Sequence, residues 1–471
     1  MGRTKELAVN TGILTVGKLC TQFVSFLLLP LYTALLSPEE YGTVDLIVSY
    51  ITLLLPLVCW QFDMGIFRFM LDCRGDQAKI KTLFSSVAIV NIMQSAGFLV
   101  LFALLGKYIS SDYVWYLVVG IALNVFSGLL MQFARGIGKM IHYSIGSFVS
   151  ATGTIVLNVI FLVCLKMGAH GMLLATLGGI LANCVYLFFA LRVWRYFSIR
   201  NYDGAVVRAV AKYSLPMVPG QLSGLVLSTS NRTIISWLLG VGANGVFTIA
   251  NKFSSLMHTA YGFFATAWVE TVSVHFEDED RDAFISDMME TALALFVSVC
   301  VGIIAVMPIA FPIMVDGEYA QAYGHIPILL IGIIFRVLMG LYSAIYIALK
   351  KSREIAKTTI IGAVINVALH FALIQFLGLY AASIATMVSF AVVALQRRVD
   401  IRKYVTIKSN VQFVVLAVCA VLWVTVSYYI NTLWLNVVTL CFAVCYAAYA
   451  NRKILKAVIA ALQTRNNKKT S

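Results

Sequence analysis

Charged residues are scarce in this chain of 471 residues, at 12% of the total, and acidic residues are scarcer than basic ones, 21 against 35. Hydrophobic residues make up 61% of the sequence, and the mean hydropathy is +0.89. A water-soluble domain carries far more charge than this. The composition therefore excludes a soluble protein and predicts an all-α polytopic membrane protein.

The usual sequence signals of metal, disulfide and nucleotide chemistry are also missing. Eight of the nine cysteines lie in apolar segments, Cys73 being the exception, and no two form a CxxC pair. Buried free thiols are the expected result. Because no GxxxxGK[ST] motif occurs, the sequence predicts no nucleotide site. No cofactor and no metal are predicted either, and the absence of a long outer loop favours a protein that is not an enzyme.

Fourteen segments are long and apolar enough to cross a bilayer as helices. About 20 residues, at about 1.5 Å of helical rise each, cover a hydrocarbon core of about 30 Å. The predicted spans are 11–35, 43–67, 83–105, 113–133, 144–166, 171–191, 214–239, 243–268, 288–311, 326–348, 358–376, 380–396, 411–430 and 433–450.

Lys and Arg lie almost entirely on one side of these spans. The termini and the loops on their side hold 29 of them, whereas the opposite loops hold only Lys107 and Lys166. Since basic residues are retained in the cytoplasm, both termini are predicted to be cytoplasmic. This asymmetry explains the net charge of +14, so the predicted partner is the lipid bilayer and not nucleic acid.

The chain also repeats itself. Residues 35–42, between spans one and two, align with residues 238–245, between spans seven and eight. Asn158 followed by Thr176 matches Asn366 followed by Thr386. Together the matches predict two six-helix halves around a central cleft. The predicted domains are 1–200, 201–400 and, with two further helices and a basic tail, 401–471.

These residues resemble the bacterial polysaccharide-biosynthesis flippases of the multidrug, oligosaccharidyl-lipid and polysaccharide exporter superfamily, along essentially the whole chain. The resemblance rests on Asn10-Thr11, Leu29-Pro30-Leu31, LSPEEYG at 36–42, MGIFRF at 64–69, Asn231-Arg232, Gly245 and Lys252. This chain carries Asn231 where many relatives carry Asp, so the resemblance implies no carboxylate for a coupling role at that position.

The resemblance implies a function that the residues alone do not. It implies a flippase that moves a polyprenyl-diphosphate-linked oligosaccharide from the inner to the outer leaflet by alternating access. The implied setting is the bacterial cytoplasmic membrane, where a monomeric transport unit supplies cell-surface polysaccharide assembly. Polysaccharide polymerases and glycosyltransferases are the implied protein partners.

Four basic residues fall inside predicted spans: Lys18, Arg232, Lys252 and Arg336. Each charge in hydrocarbon costs about 2.5 to 3.5 kcal/mol on insertion scales, so we expect them to line a cationic cleft that holds a lipid diphosphate. The amides Gln22, Asn231 and Asn251 are further candidate substrate ligands. The alternative is structural: Lys18 could reach the membrane interface, and the others could form ion pairs.

Acidic residues in or beside the spans are fewer. Asp45, Asp63 and Glu270 are candidate ion-coupling residues, and the coupling ion, H⁺ or Na⁺, is left open. An ion pair is predicted between Asp63 and Arg68. A cation-coupled multidrug exporter of the same superfamily is the alternative function, although its site should be acidic. A membrane polymerase or ligase is disfavoured, because the longest outer loop spans only 312–325.

Overall fold

The computed structural model describes residues 26–105, 112–408 and 410–456, and within these ranges the chain is helical without a strand. The helices with defined bounds are α1 Leu29–Leu35, α2 Pro38–Cys59, α3 Phe62–Asp72, α4 Gln77–Leu105, α5 Val114–Gly136, α6 Met140–Asn158, α7 Gly168–Ala190, α8 Gly204–Ser214, α9 Val218–Leu239, α10 Val241–Val274, α11 Arg281–Met314, α12 Ala322–Ala348, α13 Ser352–Leu377, α14 Tyr380–Ile401, α15 Val411–Ile430 and α16 Leu433–Ala450.

Eleven helices of the described part are long and apolar enough to cross a membrane. Of the three remaining predicted spans, the first lies mainly outside the described residues. The seventh and eighth correspond to α9 and α10, which are helices but are not among the eleven. The all-α polytopic class is therefore confirmed, whereas the count of fourteen is not.

The predicted second span is two helices and not one. Trp60 and Gln61, between α2 and α3, both have left-handed backbone angles, with φ of 53° and 56°. Pro56 lies one turn before this break and has no N–H to donate within the helix. Because the break starts a new helix, Asp63 lies in the first turn of α3, where the partial positive charge of a helix amino terminus favours a carboxylate.

The packing divides the chain into two compact units, Met1–Gly245 and Val246–Ser471. The first unit thus extends past residue 200 and includes α8 and α9. The predicted boundaries near 200 and 400 rest on the sequence repeat and stay a prediction.

Helices α3, α4 and α5 build the main core of the first unit, with Phe62, Phe84 and Phe133 fully or almost fully buried. Helix α8 packs on this core through Val210. A Cβ atom at Gly65 would meet the side chains of Val210 and Ser214. The glycine of MGIFRF therefore allows α3 and α8 to approach closely.

A buried arginine joins three helices of the second unit. Arg397 on α14 is only 1% exposed, although its position near the end of a predicted span suggested a solvated basic loop. It donates to Met339 O and Ser343 Oγ on α12, at 2.9 and 2.5 Å. It also donates to the Ile355 carbonyl, Thr358 and Thr359 on α13. All five N–H donors are thereby satisfied, which buried arginine requires.

Candidate functional site

The LSPEEYG turn is built by short-range hydrogen bonds and one long-range contact. Ser37 Oγ accepts from the Glu40 N–H at 3.3 Å, and Glu40 Oε2 accepts from the Ser37 N–H at 3.0 Å, which forms a capping box with Pro38 in the first turn of α2. The Ala169 N–H donates to Glu40 Oε1 at 3.3 Å. The motif therefore starts α2 and fixes it to the amino terminus of α7.

The two turns that align in the sequence repeat contact each other reciprocally. A Cβ atom at Gly42 would meet the carbonyl oxygen of Val241, and a Cβ atom at Gly245 would meet that of Pro38. The buried Asn244 donates from Nδ2 to the Gly42 carbonyl at 3.2 Å. Only glycine at both positions allows the start of α10 to lie this close to α2. This explains why both aligned segments end in glycine.

Arg232 and Asp45 form an ion pair directly beside this contact. Arg232 Nε lies 2.7 Å from Asp45 Oδ2, and the two side chains are only 23% and 15% exposed. Asn244 Nδ2 donates to the same carboxylate oxygen at 3.3 Å. One turn further along α2, the hydroxyls of Tyr50 and Thr233 are hydrogen-bonded at 3.2 Å. The structure thus joins α2 to α9 through a candidate substrate ligand and a candidate coupling residue.

The other candidates in the described part lie on α3, α9, α10 and α12. Asn231 is buried on α9. Lys252 and Asn251 are partly buried on α10 in the second unit, and Glu270 is exposed towards the end of that helix. The Arg336 guanidinium lies 5.4 Å from the ring centroid of Phe390, a cation–π contact within the second unit.

The predicted ion pair between Asp63 and Arg68 is wrong. Arg68 Nη1 bonds Asp72 at 2.8 Å, since residues four apart share a helix face and residues five apart do not. Asp63 Oδ1 is buried and has no hydrogen-bond partner among the described residues. Its role as a coupling residue stays a prediction.

Two candidates, Lys18 and Gln22, lie outside the described residues. Within the described part, no group of three His, Cys, Asp or Glu side chains could hold a metal ion.

The sequence favours Asn158 and Asn366 as amides that bond across helices, and the lone His370 as a hydrogen-bonded packing residue. Asn366 on α13 donates to Thr386 on α14 at 3.4 Å, whereas its repeat mate Asn158 bonds the Thr154 carbonyl of its own helix. His370, one turn after Asn366, is fully buried, and neither ring nitrogen has a hydrogen-bond partner in the described part of the chain. The sequence shows only a lone histidine in an apolar span, and this pattern does not indicate whether its ring nitrogens have hydrogen-bond partners.

Comparison with solved structures places this architecture in a known class. The chain is similar to the lipid II flippase MurJ in an inward closed conformation, with 13% identity over 96% of this chain and 100% of that one, and a TM-score of 0.71. It is also similar to an inward-facing MATE family transporter of the MOP superfamily, with 17% identity, coverage of 81% and 95%, and a TM-score of 0.65. A MATE structure in complex with MaL6 matches at 18% identity, coverage of 85% and 97%, and a TM-score of 0.57. The fold is therefore that of the MurJ and MATE transporters.

The family follows from the sequence match. Residues 7–273 match the family described as polysaccharide biosynthesis protein, and the chain belongs to this family. A comparison with curated proteins found no match. The matched region includes the LSPEEYG turn, both aligned glycines and the Asp45–Arg232 ion pair.

Proposed function

We propose that this protein is a flippase that moves a polyprenyl-diphosphate-linked oligosaccharide from the inner to the outer leaflet by alternating access. The observation that carries the proposal is membership of the polysaccharide biosynthesis family. The likeness of fold to a lipid II flippase over 96% of the chain supports a lipid-linked substrate. The proposed setting is the bacterial cytoplasmic membrane, with a monomeric transport unit that serves polymerases and glycosyltransferases of surface polysaccharide assembly.

The Asp45–Arg232 pair suggests how substrate enters this mechanism. A diphosphate presents several charged oxygens in the geometry that a guanidinium binds with two parallel hydrogen bonds. A carboxylate offers the same geometry, but the diphosphate carries more negative charge and is therefore a stronger partner for Arg232 than Asp45, whose Oδ2 lies 2.7 Å from Arg232 Nε. We propose that the arriving diphosphate takes Arg232 from Asp45. Lys18, Lys252 and Arg336 remain predicted phosphate ligands, and Gln22, Asn231 and Asn251 remain predicted ligands of the sugars.

Release of Asp45 from Arg232 also affects the contact between the two aligned turns, residues 35–42 and 238–245. Its Oδ2 atom accepts from Asn244, which also bonds the Gly42 carbonyl. Loss of Arg232 leaves the largely buried Asp45 with less compensation for its charge, which favours its hydration. The proposed movement is a separation of α2 from α9 and the start of α10, coupled to substrate through Arg232. The coupling ion stays open, with Asp45, Asp63 and Glu270 as the candidates.

Depletion of the protein in living cells tests the transport step. We expect the completed lipid-linked oligosaccharide to accumulate on the cytoplasmic face, because assembly precedes translocation. The measurement is extraction of lipid-linked sugars, combined with their accessibility to a glycosidase added outside the cells. Re-expression of the intact chain is the control. Loss of the lipid-linked sugar itself would indicate a synthetic enzyme and contradict the proposal.

A cation-coupled multidrug exporter is the second candidate, favoured by the likeness to MATE transporters. A site for cationic drugs needs available carboxylates. Asp45 is already paired with Arg232, which leaves Asp63 and Glu270 as the candidates for such a site. Unchanged accumulation of cationic dyes in the same depleted cells distinguishes the flippase from the exporter.

A further inference from the structure

A groove of about 510 Å³ runs between α13 and α14, where the first turns of α13 lie beside the last turns of α14. Glu354 and Lys357 line it from α13, and Leu395 and Val399 line it from α14. Several basic loop residues follow at this end of the helices, so the groove lies near a membrane–water interface. Both helices belong to the second unit.

The groove has an apolar side and a charged side. Leu395 and Val399 are 60% and 64% exposed. Both lie on α14, which is apolar enough to span the membrane, so lipid acyl chains are their expected neighbours. The charged rim is formed by Glu354, Lys357, Asp400 and Lys403. An occupant that suits both sides has long apolar chains and a polar head group.

The rim charges differ in how far they are already engaged. Asp400 accepts from the Tyr346 hydroxyl at 2.7 Å and from Lys403 Nζ at 2.8 Å. The hydrogen bond to Asp400 raises the pKa of the exposed Lys403 above its ordinary value, so this amine stays charged. Within the described residues, neither Glu354 nor Lys357 forms an ion pair. One carboxylate and one ammonium, three residues apart on one helix face, are therefore available to a ligand.

We propose that this groove binds a phospholipid whose head group carries a primary amine. The phosphate would bind Lys357, with Lys403 close by, and the amine would donate to the Glu354 carboxylate, while an acyl chain follows Leu395 and Val399. A phosphatidylglycerol head group offers Glu354 no cation. A choline head group has a cation without an N–H donor. Free phosphate leaves the apolar side of the groove uncovered.

The test compares lipids that differ only in the head group. The purified full chain is equilibrated with equal amounts of phosphatidylethanolamine, phosphatidylcholine and phosphatidylglycerol of the same acyl chains, and retained lipid is measured by native mass spectrometry. We expect phosphatidylethanolamine to be retained over the other two by about tenfold, which corresponds to about 1.4 kcal/mol. Glu354→Gln should remove this preference, and Lys357→Gln should lower retention of all three lipids.

Arg353→Gln is the matched control, because Arg353 is an exposed cation next to Glu354 that does not line the groove. It should bind lipid as the unchanged protein does. Arg353 and Lys357 are exposed and Glu354 is partly exposed, so each substitution should leave the fold intact, which thermal unfolding of each variant measures. Equal retention of the three lipids, a preference for phosphatidylglycerol, or a preference that survives Glu354→Gln would each overturn the proposal.

Discussion

At the scale of single residues, one carboxylate oxygen of Asp45 links the ion pair with Arg232 to the contact between the two glycine turns. Asp45 Oδ2 lies 2.7 Å from Arg232 Nε and accepts from Asn244 Nδ2 at 3.3 Å. Loss of one member of a largely buried pair leaves the other uncompensated, which costs more than the pair contributes. We therefore expect Asp45 and Arg232 to depend on each other for stability.

Exchange of Asp45 and Arg232 for each other distinguishes an effect on stability from an effect on transport. We expect Arg232→Ala and Asp45→Ala each to lower the abundance of folded protein. The double variant Asp45→Arg with Arg232→Asp restores an ion pair and should restore abundance. Its transport should stay lower by about one to two orders of magnitude, the size expected when a charged hydrogen bond to the diphosphate is lost. The measurement is export of the lipid-linked sugar per folded molecule.

Arg68 and Asp72 provide the matched control for this exchange. They form an ion pair of nearly the same length, 2.8 Å, but their side chains are 49% and 64% exposed. Exposed pairs contribute little, so their exchange should change neither abundance nor transport. Full transport by the exchanged Asp45 and Arg232 variant would show that the pair is only structural.

At the scale of helices, the contact of the two glycine turns depends on a missing side chain at each of two aligned positions. The start of α10 approaches α2 with Gly42 facing the Val241 carbonyl and Gly245 facing the Pro38 carbonyl. A carbonyl oxygen in a helix cannot move aside as a flexible side chain can. An added methyl group must therefore separate the two helices.

Gly42→Ala and Gly245→Ala should therefore each reduce the free energy of unfolding, by about 1 to 3 kcal/mol, and also reduce transport. Unfolding in detergent and export of the lipid-linked sugar are the two measurements. Gly97→Ala is the control, since a Cβ atom there would meet nothing within 4 Å and alanine favours a helix interior. Stability equal to that of Gly97→Ala in both variants would contradict the close contact.

The sequence predicts these helices better than it predicts their contacts. The extent of the apolar segments alone predicts the ends of α5 and α16 to within a few residues, because the thickness of the bilayer sets the length of an apolar span. The break at Trp60 and Gln61 was not predicted, since neither residue type signals a left-handed backbone. The partners of Glu40 and Arg397 lie on other helices, so local pattern could not supply them.

The same limit applies to the candidate site. The cost of a charge in hydrocarbon singled out Arg232 as a candidate substrate ligand. It did not indicate that Asp45, on another helix, would be its partner. The aligned segments 35–42 and 238–245 were predicted as equivalent, and that equivalence reappears as a reciprocal contact. The sequence repeat therefore indicated the two segments that pack against each other, which the positions of the charged residues did not.

At the scale of the whole molecule, the fold and the distribution of charge give different information. The fold shows which proteins this chain resembles, and the charge predicts how the chain is oriented in the membrane. The likeness to MurJ and MATE structures at 13% to 18% identity rests on the order of the helices, and it says nothing about which end of them faces the cytoplasm. The predicted orientation rests instead on the Lys and Arg of the loops, because basic residues are retained on the cytoplasmic side. The two lines of evidence are independent.

We expect both termini in the cytoplasm, because the loops on their side hold 29 Lys and Arg while the opposite loops hold two. Fusions after residues 40, 242 and 318 should give active alkaline phosphatase, which needs the outside, and fusions after 140, 280 and 405 should give fluorescent green fluorescent protein, which needs the inside. Both reporters are placed at every site, so that a misfolded fusion, silent in both, is recognised. Residue 280 is the sharpest site, because its loop is acidic and acidic residues contribute little to orientation. Phosphatase activity there, with fluorescence at 242, would contradict the predicted orientation of the second half.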